Sequence, residues 1–345
     1  MKKKTSLVFK AVRLLFLKSL LVMFILLLAG CGSDTETSLP YAYGNMQKNV
    51  PSGNFMDAGD SILFFGPDGQ GVLYKLDKET LETEFFCTDP TCSHKNSKCM
   101  AGGAYGNLEA YNGKIYASTI KGEMLVLKDD RFEPLSDQVM GSFSHGNDKC
   151  YVLTNDGALQ EYDIKGKFLR TVREEFTGMW CVVCKDQMIY NTLFEIRSVD
   201  LYDPSKDRTI SEGMGMTDGE SIFFIDNLDC RMYRCDLEGN QKVLLSEEPV
   251  LTASLNFDED YLYYRYYYDN DLSGRLSHAI IRQKKDGSEE AEIMAELPVH
   301  AYTIYTVPGF DYLIVVGKLN FASYTYDYYL VRKDGSMIKK IELPD

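Results

Sequence analysis

The chain has 345 residues, with 37 Lys and Arg against 51 Asp and Glu, a formal charge of −14. At 45 % hydrophobic and 26 % charged residues it can build a core, which excludes global disorder. The acidic balance argues against nucleic acid as a partner, because phosphate contacts need clustered Lys and Arg. Twenty-four Tyr, 18 Phe and 27 Gly lean the chain toward β structure.

Residues 1–30 read as an address. Lys2, Lys3, Lys4, Lys10, Arg13 and Lys18 precede an apolar run from Leu20 to Leu28, and small residues follow at Ala29 and Gly30. That order is a secretory signal, and the run is too short for a standard transmembrane helix. Leu28-Ala29-Gly30-Cys31 resembles the lipobox of bacterial lipoproteins. The resemblance implies cleavage before Cys31 and a lipid on its thiol. It implies anchoring at the extracytoplasmic face of the cell membrane. A plain signal peptide or an uncleaved anchor is the alternative. Without residues 1–30 the chain carries 31 basic and 51 acidic residues, a formal −20. Residues 31–52 begin with polar Gly32-Ser33-Asp34-Thr35-Glu36-Thr37-Ser38 and read as a tether. So acidic a body is not drawn onto an anionic surface, which leaves anchoring to the lipid.

From residue 53 on, the chain repeats. Seven short apolar runs centre on Ile62, Ile115, Cys150, Ile189, Ile222, Leu262 and Leu313. They are spaced 53, 35, 39, 33, 40 and 51 residues apart. A second signal follows each, an apolar residue four before an Asp: Leu73/Asp77, Leu125/Asp129, Leu159/Asp163, Val199/Asp203, Met232/Asp236 and Leu330/Asp334. In the sixth unit Asp286 fills the slot, one residue out of register. An Asx side chain that closes on its own backbone explains an Asp at the turn. Further short runs such as Val243-Leu244-Leu245 and Ile338-Lys339-Lys340-Ile341 close the units. No segment past residue 30 has the period of an amphipathic helix.

Four strands per unit and a period near 40 residues predict an all-β fold, a β-propeller of seven four-stranded blades spanning 53–345. A set of β-sandwiches that looks periodic is the alternative. The pattern resembles extracellular propellers of the low-density-lipoprotein-receptor-related type, and more closely the propeller lipoproteins of Gram-positive anaerobes. The Tyr-Trp-Thr-Asp tetrapeptide of the receptor propellers is missing, so receptor function does not transfer.

Cys87-Thr88-Asp89-Pro90-Thr91-Cys92-Ser93-His94-Lys95-Asn96-Ser97-Lys98-Cys99 is the sharpest local motif. It opens an insertion over 87–105, between the first two blades, and resembles a Cys–Pro–Cys–His–Cys insertion of the anaerobe lipoproteins. Cys87, Cys92, His94 and Cys99 are the ligand set of a structural Cys₃His zinc site. Disulfides are the rival reading for an exported chain. Either way the motif staples a loop. Cys181 and Cys184 sit three apart on an apparent strand beside Trp180, so their side chains point to opposite faces about 10 Å apart, too far for a disulfide. Cys230 and Cys235 fail in the same way if they share a strand.

Other motifs carry less. The aromatic run Tyr261–Tyr268 reads as strand with one face buried and wet hydroxyls, rather than a stacking platform. Tyr324, Tyr326, Tyr328 and Tyr329 read likewise. Asp269-Asn270-Asp271-Leu272-Ser273-Gly274 resembles a calcium loop, but Ile280 stands where the closing Glu belongs, which favours a polar hairpin. His145, His278 and His300 have no partner at catalytic or ligand spacing. No nucleophile elbow, phosphate loop or zincin motif is present. The expected function is a lipid-anchored binding or scaffold propeller at the cell surface, with a glycan, peptide or protein as ligand. The alternative is a glycan- or peptide-processing hydrolase or lyase with converging Asp, Glu, His or Tyr on its inner strands.

Overall fold

The computed structural model describes residues 55–344, apart from 67–71, 88, 90, 93, 95–98, 100, 103–104, 120–122, 129–130, 140–141, 155, 179, 268–277 and 319–325. The signal, Cys31, the tether, the Asp269–Gly274 loop, Tyr268 and Tyr324 lie outside the described residues.

Seven four-stranded antiparallel sheets follow one another along the chain. Blade 1 comprises β1 (Phe55–Asp57), β2 (Ser61–Phe65), β3 (Leu73–Asp77) and β4 (Thr83–Phe85). Blade 2 comprises β5 (Tyr105–Tyr111), β6 (Lys114–Thr119), β7 (Glu123–Lys128) and β8 (Arg131–Val139). Blade 3 holds β9 (Ser142–Gly146), β10 (Lys149–Leu153), β11 (Leu159–Asp163) and β12 (Phe168–Arg173). Blade 4 holds β13 (Trp180–Cys184), β14 (Gln187–Asn191), β15 (Glu195–Asp200) and β16 (Asp207–Glu212). Blade 5 is β17 (Met214–Thr217), β18 (Ser221–Ile225), β19 (Met232–Asp236) and β20 (Val243–Ser246). Blade 6 is β21 (Asn256–Phe257), β22 (Tyr261–Tyr264), β23 (Ala279–Lys284) and β24 (Glu292–Glu296). Blade 7 is β25 (His300–Tyr305), β26 (Tyr312–Lys318), β27 (Asp327–Arg332) and β28 (Ile338–Lys340). The fold is a seven-bladed β-propeller.

The first strand of each blade lies toward the axis, since β1 neighbours β5, β5 neighbours β9 and β9 neighbours β13. Burial falls outward. The second strand is covered on both faces by adjacent blades, as in β2, where all five residues are buried. The fourth strand is largely exposed, as in β16 and β28. Strands buried on both faces are apolar throughout instead of alternating, and that is why the seven recurring runs stand out in the sequence. They are the second strands, β2 to β26. The inner strands of blades 3 and 4 pack closely: a Cβ on Gly146 would come within 2.4 Å of Val183 Cγ1 on the next inner strand.

The Leu-to-Asp signal is the third strand and its exit turn. Asp77 accepts the amides of Glu79 and Thr80, Asp163 those of Lys165 and Lys167, and Asp236 those of Glu238 and Asn240. Blade 4 corrects the register: Asp200, not Asp203, accepts the turn amides of Tyr202 and Asp203, so the pair is Ile196/Asp200. Val199 is the residue beside Asp200 inside the strand, which displaced the sequence alignment.

An even number of strands returns the chain to the face where each blade began. The connections between blades therefore emerge on one face, together with the turns between second and third strands. The ring closes without a shared strand, because blade 7 is built wholly from residues 300–340. Closure is by packing. Phe55, Ile62, Phe64 and Tyr74 of blade 1 form one core with Tyr305, Ile314, Val316 and Tyr328 of blade 7. Tyr328 OH donates to Phe65 O at 3.0 Å, and Lys339 Nζ to Leu81 O at 3.1 Å.

Candidate metal centre

The motif folds where the chain leaves β4 for blade 2. Two backbone bonds fix its ends to the blade: Phe86 N donates to Leu73 O, and Leu73 N to Ala101 O. Asp89 opens a tight turn, accepting both the amide and the hydroxyl of Thr91, while Cys92 N donates to Asp89 O. These bonds turn the chain back on itself within six residues. Cys87, Cys92, His94 and Cys99 then bring one ligand atom each to within 4.8 Å of one another. Among the described residues this is the group that can hold a metal ion.

The distances suit a tetrahedral ion. Zn–S near 2.3 Å and Zn–N near 2.0–2.1 Å put sulfur and nitrogen about 3.5 Å apart at a tetrahedral angle. His94 Nδ1 lies 3.4 Å from Cys99 Sγ. The backbone N–H of His94 also donates to Cys92 Sγ at 3.4 Å, and this bond holds the Cys92 thiol below the usual range. Burial pushes Cys99 up to about 11. A cation binds the thiolate, so it overrides that cost. His94 itself adopts a left-handed backbone, φ 55°, which costs a non-glycine residue of order 1 kcal/mol. The Cys92 bond and a face-to-face stack on Phe85, 4.2 Å between centroids, hold it there. That stack continues inward through Tyr74 and Phe64 to Phe55 at the closure seam, with steps of 5.1, 5.7 and 5.1 Å. The cysteine–histidine loop is thus braced by the aromatic column that closes the ring.

The other cysteines are part of the blades. Cys184 and Cys235 are free thiols whose burial pushes them up to about 12 and about 11, inert small hydrophobes. Cys181 and Cys184 share β13, as read from the sequence. Cys230 and Cys235 do not share a strand, because Cys230 turns with φ 57° before β19 begins.

The histidines do find partners. His145 on β9 and Glu109 of β5 form a buried pair, with Nδ1 2.9 Å from Oε2 and the His145 amide donating to Oε1 at 3.0 Å. Tyr111 and Tyr116 flank its ring at 5.2 and 4.1 Å, and its buried Nε2 has no hydrogen-bond partner. Glu109, His145 and Tyr116 are 4 %, 3 % and 1 % exposed, so the pair ties blade 2 to blade 3 inside the core. His278 and His300 meet edge to face at 4.6 Å, and burial with the charges of His278 and Arg265 holds His300 below the usual range.

The tyrosine run differs from the one-sided strand expected. Tyr263 and Tyr264 point to opposite faces and both are buried, because β22 is a second strand with a blade on either side. Their hydroxyls donate to Asp258 and Gln283 instead of to water.

A second feature was missed in the sequence. A cleft of about 350 Å³ opens between blades 3 and 4, lined by Arg173, Tyr190, Phe194, Glu195, Arg197 and Asp207. Arg173 and Arg197 both bond Asp207, which also accepts Tyr190 OH at 2.9 Å. No spacing rule collects these residues, which come from five elements of two blades.

No described protein family and no curated protein matches the chain. Solved structures do share the fold. A puromycin-hydrolysing peptidase of Mycobacterium tuberculosis superposes with a TM-score of 0.56 at 13 % identity, over 88 % of this chain and 57 % of the peptidase. PorZ, an essential surface component of the type-IX secretion system of Porphyromonas gingivalis, superposes with a TM-score of 0.52 at 13 % identity, over 84 % of this chain and 38 % of PorZ. At such identities the likeness is one of fold alone, and the chain spans less than two thirds of either protein.

Proposed function

We propose that this protein is a lipid-anchored extracytoplasmic propeller, held through Cys31, that binds a ligand on the face carrying its interblade connections. The cysteine–histidine centre is assigned to zinc, which staples the 87–105 insertion on that face. Three thiolates and an imidazole are a closed structural set for zinc, with no open position for chemistry.

One observation carries the binding reading. Leu193, Phe194 and Leu228 are 64 %, 70 % and 84 % exposed, the most exposed large apolar side chains among the described residues. They occupy the adjacent second-to-third-strand turns of blades 4 and 5, on the face with the metal loop. The turns are held rigid. Thr192 Oγ1 accepts the amides of Phe194 and Glu195, Asp226 accepts that of Leu228, and Asn227 Nδ2 and Gly213 N both donate to Phe194 O. Apolar tips clustered on a fixed frame mark an interaction surface. Burying each is worth about 1.5–3 kcal/mol.

Two measurements test this. Mass spectrometry of the mature N-terminus should find a lipid-modified Cys31; an unmodified Met1 terminus would refute the anchor. Purified protein should sediment with envelope fragments of its own cells, and Leu228→Ser with Phe194→Ser should lower the bound fraction at least fivefold. Equal sedimentation of the variant would refute the binding surface.

A further inference from the structure

The cleft between blades 3 and 4 has a composition that selects its ligand. Its ionised groups are two of each sign, Arg173 and Arg197 against Glu195 and Asp207, so their formal charges cancel. A site for an anion or a cation would carry an excess of the opposite charge. The groups are also locked in place. Arg197 donates to Asp207 at 3.1 Å, to Glu195 at 2.8 Å and to Thr209 at 3.0 Å. Arg173 bonds the other oxygen of Asp207, and Tyr190 OH bonds both. Asp207 is 10 % exposed and spends its acceptors inside this network.

The lining residues keep both donors and acceptors outside this network. Arg173 bonds Asp207 through Nη1, and Arg197 uses Nε and Nη1, so each guanidinium keeps its Nη2 group. Glu195 accepts its partners through Oε2 and keeps Oε1. Guanidinium N–H donors beside a free carboxylate oxygen match vicinal hydroxyl pairs, each of which donates and accepts. Phe194, exposed at the mouth, adds a flat apolar face. A pyranose ring has the complementary halves: C–H bonds on one face and hydroxyls around its edge.

We propose that this cleft is a saccharide site, which takes an uncharged hexose unit of an envelope or matrix glycan. Its C–H face lies against Phe194, and its hydroxyls meet Arg173, Arg197 and Glu195. The volume of about 350 Å³ admits one or two such units. The inference rests on the binding reading above and names its ligand class.

The test is a printed array of neutral, acidic and basic oligosaccharides, probed with the full mature chain in detergent. The array is followed by calorimetry with the best neutral trisaccharide. Neutral glycans should bind in the micromolar to millimolar range. Phe194→Ala and Glu195→Gln should each weaken binding at least tenfold, with the thermal midpoint unchanged. Binding of no neutral glycan, preference for polyanions, or equal affinity in Phe194→Ala would overturn the proposal. Envelope sedimentation that needs Phe194 and Leu228 but resists competition by any neutral saccharide would sink this inference and leave the binding reading intact. Loss of sedimentation dependence itself would sink both.

Discussion

Phe64→Ala probes how the ring is held shut. Phe64 is fully buried and meets Phe55, Tyr74 and Tyr328 at centroid distances of 5.1, 5.7 and 5.7 Å. Truncating a buried phenylalanine costs about 3–5 kcal/mol, and the ring contacts are included in that figure. The location of the damage distinguishes the seam from the rest of the core. Blades 1 and 7 share no strand, and the main polar ties between them are the Tyr328–Phe65 and Lys339–Leu81 bonds and the one from Thr83 to Glu342 O. A weakened seam should therefore open locally. A body of seven blades need not unfold in one step, so amide hydrogen exchange is the better assay. Exchange should rise in β2, β3, β26 and β27 while blades 3 to 5 stay protected. Phe224→Ala is the control, equally buried but in a core shared by chain-continuous blades 4 to 6. Its effect should appear in those blades. A uniform rise in the Phe64 variant, or a loss below about 1 kcal/mol, would refute closure by packing.

Three further outcomes follow from named contacts. Glu109→Gln should lower stability by about 2–3 kcal/mol, because His145 is left buried with a weakened partner, whereas Glu109→Met with His145→Phe should recover most of it in a thermal melt. Burial tends to raise the carboxyls of Asp207 and Asp258. Bonds from Arg173, Tyr190 and Arg197 to the first, and the charge and bond of Lys333 to the second, outweigh it and leave both below the usual carboxylate range. A depressed folded pKa stabilises above the unfolded value and is lost as pH falls through the folded one. Denaturant midpoints should accordingly drop on acidification below about pH 4, and less steeply in Asp207→Asn. Chelation should raise amide exchange first in β3 and β4, since Phe85 and Tyr74 link them to His94; an unchanged pattern would contradict that brace.

The sequence and the structure meet where residues close in the chain share one environment. Second strands are buried on both faces, so Ile62-Leu63-Phe64 or Ile222-Phe223-Phe224 reads as a run without alignment to anything else. Third-strand exits need an Asx turn, which fixed Asp77 and Asp236 in place. The cysteine–histidine set was legible because its four ligands span 13 residues. Inner strands left little trace: β21 is only Asn256–Phe257, too short to show a period. Contacts between blades were invisible for a different reason. Glu109 and His145, His278 and His300, and Arg173 and Asp207 are brought together by the rotation of one blade against the next, not by a local spacing. The tyrosine run was misjudged because one-sided burial suits an open sheet, whereas β22 is sandwiched.

The proposed zinc, held by Cys87, Cys92, His94 and Cys99, staples the 87–105 loop beside the closing seam. Native mass spectrometry of the mature protein with elemental analysis tests it directly. One zinc per chain is expected, lost in Cys92→Ser, with three alkylatable thiols in the cluster after the metal is removed. A metal-free protein in which two of those cysteines are joined in a disulfide would contradict it.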